Sequence, residues 1–326
     1  METNTIIKSF EEESSLVYLI TGVRGSGKTV LLSHASKCFA EKEGWIVIDL
    51  NPEQDLLSSL VSKLYAKAGV AKLFLKKSLS LSLGKISLSL TSGELLTDSE
   101  SILEVMLKDL KRRKKRILVT IDEASNNKEM RIFAHSFQSL IRQNFPIYLL
   151  MTGLYENINA IQNDPQLTFL LRSPKITLGP LGLTQIARQY ERALNISSDV
   201  AMYLAKETKG YAFAFQALGM IYYDNETLIV EEQLNILDEY LDEYVYQKIW
   251  SGLSEQDRNV VLQLSDYKAI KVKDICEATG MSSATFSKYR ERLINKGLIS
   301  ANQHGYIELA LPRFRKICEY YNSMLL

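Results

Sequence analysis

GVRGSGKT, residues 22–29, follows the apolar run LVYLIT (16–21) and precedes a segment with helical periodicity that begins near Lys28. This stretch fits the pattern GxxxxGK[ST] between a strand and a helix, which is the context in which the pattern forms a phosphate-binding loop. Glycines let main-chain N–H groups turn inward around a phosphate at the positive end of the next helix. The stretch therefore predicts a nucleotide site, and the alternative is a chance glycine-rich turn.

Each part of this loop has a predicted role. Lys28 would reach the β- and γ-phosphates, and the Thr29 hydroxyl would occupy one position on Mg²⁺. The residues expected to bind the nucleotide are Gly22, Arg24, Gly25, Ser26, Gly27, Lys28 and Thr29.

Two acids end a second apolar run, ILVTIDEAS (117–125), about ninety residues further on. We expect Asp122 to hold the Mg²⁺ shell and Glu123 to polarise the attacking water, because hydrolysis needs a base or a water-orienting group. The alternative is that both acids merely cap a strand. The adjacent pair also argues against a small-molecule kinase, which needs a dedicated acceptor pocket.

Short apolar runs alternate with helical stretches along the first half of the chain, which predicts a parallel α/β sheet with right-handed crossovers. SLSLSLGKISLSL (78–90) interrupts this rhythm, and its alternation predicts an inserted hairpin that packs on the domain or contacts a partner. The remaining expected strands of the sheet are 45–50, 117–122, 146–152 and 175–178.

GVRGSGKT, the run that ends in Asp122-Glu123, and YLLMTG (148–153) together resemble the AAA+ and STAND ATPases, in particular archaeal-type ATPases and origin-recognition initiators. The resemblance implies a three-layer P-loop sheet of the ASCE class, with strand order 5-1-4-3-2, followed by a helical lid and a winged helix. It also implies ATP and Mg²⁺ as cofactors, hydrolysis of ATP to ADP and phosphate, and a homo-oligomer when ATP is bound. The segment KETKGYAFAFQALG (206–219) departs from the family pattern because it has no counterpart of the usual lid arginine, and this departure favours slow hydrolysis.

Three more positions are assigned by this resemblance. Thr152 matches the polar sensor of the γ-phosphate, although a hydroxyl can also simply end a strand. Arg172 resembles the arginine finger that reaches a neighbouring subunit's nucleotide; the alternative is a surface arginine. Pro180 matches the hinge into the lid, beside the adenine.

The last seventy-six residues have the pattern of a winged helix: three short helices, then two strands around Gln303-His304-Gly305. Ser287, Lys288 and Arg292 are expected on the outer face of the third helix, where a recognition helix contacts DNA. This segment carries 11 Lys and Arg against 8 Asp and Glu, a mild excess of 11 − 8 = 3. Binding of double-stranded DNA and contact with a protein partner therefore both stay open.

Composition limits the function classes. The chain has 326 residues, of which 46% are hydrophobic and 24% charged, with a net charge of +1, so it is neither disordered nor a basic nucleic-acid coat. Three scattered cysteines, no apolar signal core and no apolar run of 18 residues favour a cytoplasmic protein without a membrane span. We expect an ATPase domain (1–180), a helical lid (181–250) and a winged-helix domain (251–326).

Three functions fit these features. The first is an ATPase whose nucleotide state controls DNA binding through the winged helix, and the second is a signalling or defence switch that contacts protein partners. A phosphotransferase is the third and weakest. The basic run KRRKKR (111–116) fits either a helix end or a phosphate contact.

Overall fold

The computed structural model describes residues 2–67, 88–89, 95–96, 98–225, 227–265 and 269–325. The chain divides into two compact units. The first comprises residues 1–21 and 28–177, and the second comprises residues 22–27 and 178–326. The glycine-rich loop thus belongs to the second unit, although the chain enters it from a strand and leaves it into a helix of the first.

The first unit contains a five-stranded parallel sheet. Every residue is buried in two adjacent inner strands, 17–21 and 147–153, as expected for strands with both faces covered. Its strands are β1 (Val17–Thr21), β2 (Trp45–Leu50), β5 (Arg116–Ile121), β6 (Ile147–Gly153) and β7 (Lys175–Thr177). Their order is β2-β5-β6-β1-β7, which confirms the predicted 5-1-4-3-2 arrangement of an ASCE sheet.

Helices of the first unit bury apolar side chains, in the main core cluster for the last five of them and around Tyr18, Trp45 and Tyr148 for the first two. They are α1 (Glu2–Glu11), α2 (Lys28–Ala40), α3 (Leu56–Lys67), α4 (Ser99–Arg112), α5 (Lys128–Arg142), α6 (Tyr155–Gln162) and α7 (Thr168–Leu171). In α5, for example, the Asn127 side chain caps the first turn and Phe133 and Phe137 face the core. The run 111–116 spans the end of α4 and the first residue of β5, and Arg113 pairs with Asp109.

Two short strands, β3 (Leu88–Ser89) and β4 (Leu95–Leu96), pair antiparallel between α3 and α4. Residues 78–87 and 90 of the predicted hairpin lie outside the described residues. The predicted hairpin over 78–90 therefore stays a prediction.

Helices dominate the second unit, as predicted. They are α8 (Leu183–Leu194), α9 (Ser198–Glu207), α10 (Ala212–Asp224), α11 (Val230–Leu241), α12 (Gln247–Ser251), α13 (Glu255–Ser265), α14 (Val272–Thr279), α15 (Ser283–Asn295) and α16 (Phe314–Leu325). A π-helical turn, Asp242–Tyr246, joins α11 to α12. An antiparallel sheet in the order β8-β10-β9 consists of β8 (Ile270–Lys271), β9 (Ile299–Ser300) and β10 (Tyr306–Leu309).

One continuous buried cluster joins α8–α12 to the segment after residue 251. Tyr246 is fully buried and its hydroxyl donates to the Pro312 carbonyl at 2.6 Å. The guanidinium of Arg313 donates to the Asp238 carboxylate at 2.7 Å, with both side chains largely buried. The division into three domains stays a prediction. Residues of the predicted lid (181–250) and of the predicted winged-helix domain (251–326) share this one core.

Candidate functional site

A cluster of hydroxyl and carboxylate groups lies in the first unit where α2 begins and β5 and β6 end. The Thr29 hydroxyl donates to Asp122 Oδ2 at 2.7 Å, and the fully buried Thr152 hydroxyl donates to Asp122 Oδ1. Parallel strands bring their carboxyl ends to one edge of a sheet. For this reason Thr29 and Thr152, which are 93 and 30 positions from Asp122 in the sequence, both contact it. The structure thus brings together three of the residues singled out in the sequence.

Glu123 follows directly and has an unusual backbone. Its φ is 52°, in the left-handed region that non-glycine residues seldom adopt. Its N–H donates to Asp122 Oδ1 at 3.0 Å and to Thr152 Oγ1 at 3.4 Å. The side chain of Glu123 is exposed. Such backbone strain is common at functional sites. Here the two hydrogen bonds that the Glu123 N–H donates hold the strained conformation.

The donor set of this cluster fits Mg²⁺. Mg²⁺ takes oxygen ligands, keeps several waters and is commonly bound by one or two carboxylates together with phosphates. The Thr29 hydroxyl and the Asp122 carboxylate supply oxygens within 2.7 Å of each other. Within the described ranges, no three His, Cys, Asp or Glu side chains form a metal cluster of their own.

The glycine-rich loop is held by its contacts within the second unit. Gly25 and Gly27 have φ of 77° and 91°, so both positions require glycine. The Tyr211 hydroxyl donates to the Arg24 carbonyl at 2.5 Å, and the Phe213 N–H donates to the Gly25 carbonyl at 3.0 Å. Both contacts come from the start of α10, and neither Tyr211 nor Phe213 belongs to a motif that is visible in the sequence.

The remaining loop residues form a tight turn. The Ser26 N–H donates to the Val23 carbonyl at 3.1 Å, and the Ser26 hydroxyl is buried without a hydrogen-bond partner among the described residues. Gly22 is buried, and a Cβ there would lie 2.6 Å from Ser26 Oγ. Lys28 is the first residue of α2 in the first unit.

The other two positions assigned by resemblance lie at ends of elements. Arg172 follows α7 in the first unit and its side chain is exposed. Pro180 is exposed in the second unit, beside Gly210, and the next residue, Leu181, donates its N–H to the Gly210 carbonyl at 2.7 Å. An exposed arginine is compatible both with a finger that acts on a neighbouring subunit and with an ordinary surface residue.

The predicted DNA-contacting residues differ in their surroundings. Ser287 and Lys288 are exposed on α15. The Arg292 guanidinium instead donates to Asp257 Oδ1 at 2.5 Å, and the Asp257 side chain is only 2% exposed. The same guanidinium lies 4.7 Å from the centre of the Tyr289 ring. Arg292 therefore stabilises this segment, which the helical periodicity had not indicated.

A five-stranded parallel sheet of this order, with a glycine-rich loop after β1 and an acidic pair after β5, defines a P-loop ATPase fold of the ASCE class. Residues 1–161, just under half of the chain, match the family described as "ATPase domain predominantly from Archaea". Residues 243–316 match a domain of unknown function, DUF8462. The predicted resemblance to archaeal-type P-loop ATPases is confirmed.

Solved structures agree with this assignment of the fold. The chain is similar to the ORC2 protein of Aeropyrum pernix in its ADPNP–ADP complexes, with a TM-score of 0.61 and 14% identity over 100% of this chain and 94% of that one. It is equally similar to the Walker-type ATPase PABY2304 of Pyrococcus abyssi, with a TM-score of 0.61 and 14% identity over 98% and 94% of the two chains. No curated protein is significantly similar in sequence. In the part of the chain that the structure describes, no helix is long and apolar enough to span a bilayer.

Proposed function

We propose that this protein binds ATP with Mg²⁺, hydrolyses it slowly, and uses the nucleotide state as a switch. The observation that carries this proposal is the convergence of Thr29 and Thr152 on Asp122, next to the strained Glu123. Bound nucleotides in the similar ORC2 structure support the choice of ligand.

Each residue has a distinct role in this proposal. Thr29 and Asp122 would hold Mg²⁺, which would neutralise charge on the phosphates when bound. Lys28 would contact the β- and γ-phosphates, and the main-chain N–H groups of the loop would surround them. Glu123 would orient the attacking water, and Thr152 would hold the Asp122 carboxylate in place. Pro180 would lie beside the adenine.

The test of binding uses Lys28→Ala, with Lys37→Ala as the matched control. Lys37 is an exposed lysine at the other end of the same helix. A ligand at a hundredfold excess over its Kd stabilises a protein by about 2.7 kcal/mol. ATP–Mg²⁺ should raise the melting temperature of wild type and Lys37→Ala but not of Lys28→Ala. Equal stabilisation of all three proteins by ATP–Mg²⁺ would show that the glycine-rich loop is not part of the nucleotide site.

The test of turnover uses Glu123→Gln, which keeps the shape of the side chain but removes the carboxylate. This variant should bind ATP as wild type does and release phosphate far more slowly. Unchanged steady-state phosphate release would exclude Glu123 from the reaction, and transfer of phosphate to an acceptor other than water would favour the phosphotransferase.

We further propose that residues 251–326 form a winged helix that binds double-stranded DNA. Three helices and a three-stranded antiparallel sheet follow each other here in the order α13-β8-α14-α15-β9-β10, which suits this fold. On α15, Thr285, Lys288 and Tyr289 line a concavity of about 380 Å³ together with Ala284 and Arg292. Lys288 is exposed there and could contact a phosphate, which would add affinity with little sequence preference.

The DNA test compares Lys288→Ala with Lys273→Ala, which removes an exposed lysine on α14 that pairs with Glu277. Lys288→Ala should weaken duplex binding and lower the salt slope by about 0.9, the contribution of one phosphate contact. Lys273→Ala should change neither. If wild type shows no salt-sensitive duplex binding with or without ATP, the segment is better explained as a protein-docking module of a signalling or defence switch.

A further inference from the structure

Tyr211 is a buried tyrosine whose hydroxyl reaches the main chain of the glycine-rich loop. Its side chain is 5% exposed, and its hydroxyl donates to the Arg24 carbonyl at 2.5 Å. Two residues further on, the Phe213 N–H donates to the Gly25 carbonyl at 3.0 Å. Two successive carbonyls of the loop are therefore bonded to the start of α10.

These bonds determine the direction of a main-chain N–H group. In a planar trans peptide, the carbonyl of one residue and the N–H of the next point in opposite directions. Because the Arg24 carbonyl is directed at Tyr211, the N–H of Gly25 is directed away from it. Inward-turned N–H groups of this kind bind phosphate in a P-loop.

The Tyr211 ring is itself held by the core of the second unit. It stacks on Tyr246 with a centroid distance of 6.5 Å and an interplanar angle of 21°. Tyr246 is fully buried and hydrogen-bonded to the Pro312 carbonyl. Burial raises the pKa of the Tyr211 hydroxyl, so this group remains a neutral donor at physiological pH.

The contact also leaves no space for a side chain at position 25 of the loop. A Cβ on Gly25 would lie 2.3 Å from the Tyr211 hydroxyl oxygen and 2.9 Å from the ring. The fit therefore depends on glycine at position 25 and on tyrosine at the N-cap of α10. This dependence indicates a specific pairing of the two residues.

We propose that Tyr211 is a positioning residue for the phosphates of ATP. Its hydroxyl holds the Arg24 carbonyl outward and thereby keeps the Gly25 N–H directed at the position of the phosphates. This inference rests on the proposed binding of ATP and adds to it a residue outside the GxxxxGK[ST] pattern.

The test compares Tyr211→Phe with Tyr190→Phe. Tyr190 is a matched control because it is 2% exposed and donates its hydroxyl to the Phe215 carbonyl at 2.6 Å, away from the loop. Each variant loses one buried bond from a tyrosine to a main-chain carbonyl. Without nucleotide, both should melt at similar temperatures. By calorimetry, Tyr211→Phe should raise the Kd for ATP–Mg²⁺ about threefold to tenfold, while Tyr190→Phe should leave it at the wild-type value.

Steady-state kinetics provide a second readout that a loss of stability would not reproduce. Tyr211→Phe should raise KM by the same factor as Kd and leave kcat within about twofold. If wild type binds ATP and the two variants have equal Kd values, the positioning role of Tyr211 is refuted while the proposed function survives. If wild type does not bind ATP, the proposed function fails and this inference fails with it.

Discussion

Replacing Thr152 by valine tests the hydroxyl–carboxylate cluster, because the change keeps the shape of the side chain and removes only the hydroxyl. Thr152 is completely buried, so water cannot replace the bond that its hydroxyl donates to Asp122. A hydrogen bond to a charged group contributes about 1.5–3 kcal/mol to stability. We expect Thr152→Val to lower the free energy of unfolding by that amount.

The chain offers a matched control in the neighbouring strand. Thr21 is also completely buried and ends β1, which pairs with β6, but its hydroxyl has no hydrogen-bond partner among the described residues. Removing a buried hydroxyl that has no partner relieves a cost of desolvation. Thr21→Val should therefore leave stability unchanged or raise it.

Thermal and urea unfolding of the two variants measure the difference. For a domain of 150–250 residues, each 1 kcal/mol shifts Tm by about 2–4 °C, so the two proteins should be well separated. Thr152→Val should also weaken the Mg²⁺-dependent part of ATP binding, because the Asp122 carboxylate loses a donor. Equal Tm values for Thr152→Val and Thr21→Val would refute the stabilising role of this bond.

Three further predictions concern other parts of the chain. If Arg172 acts on a neighbouring subunit, hydrolysis per subunit should rise with protein concentration, and Arg172→Ala should lose that rise. Mixing the Arg172→Ala and Glu123→Gln proteins should restore activity. A protein that stays monomeric with constant specific activity would contradict the role of Arg172 as a finger. Arg292→Met should lower the free energy of unfolding, measured in urea, by about 1.5–3 kcal/mol, because the buried Asp257 carboxylate loses its cation and keeps only the bonds that Ser254 donates. Asp257→Asn in the same chain should recover part of the loss. Burial raises the pKa of the Cys318 thiol to about 12, so a thiol reagent at pH 8 should label Cys38 and Cys276 in the native protein and Cys318 only after unfolding.

Much of the sheet could be predicted from the sequence because its signals are local. Five apolar runs gave strand boundaries within one residue of those observed; WIVIDL, for instance, is β2 (Trp45–Leu50) without a change. The strand order came from the family resemblance that the loop and the acidic pair carry. The two-residue strand β8 was missed, because Ile270-Lys271 is too short to show an alternating pattern.

Contacts between distant side chains were beyond what periodicity can predict. Arg292 was assigned to an outer helix face, but the residue that binds it, Asp257, lies 35 positions earlier in another helix. The bond between Tyr211 and the Arg24 carbonyl spans 187 positions, and nothing in the local pattern around Tyr211 indicates it. Motifs show which residue types a site contains, whereas such partners depend on how distant segments pack within one unit.

The core shared by α8–α12 and the last segment has a consequence for synthesis on the ribosome. Arg313 and Asp238 are 75 positions apart, and the partner of Tyr246 is 66 positions downstream. Domains generally fold as units while the chain emerges from its N-terminus. Helices α8–α12 therefore leave the ribosome with an unfinished apolar face, and the loop at 22–27 gains its contacts with α10 only once residue 213 has emerged. A chain stopped near residue 250 would expose that face to chaperones and proteases, whereas the sheet of the first unit would already be complete.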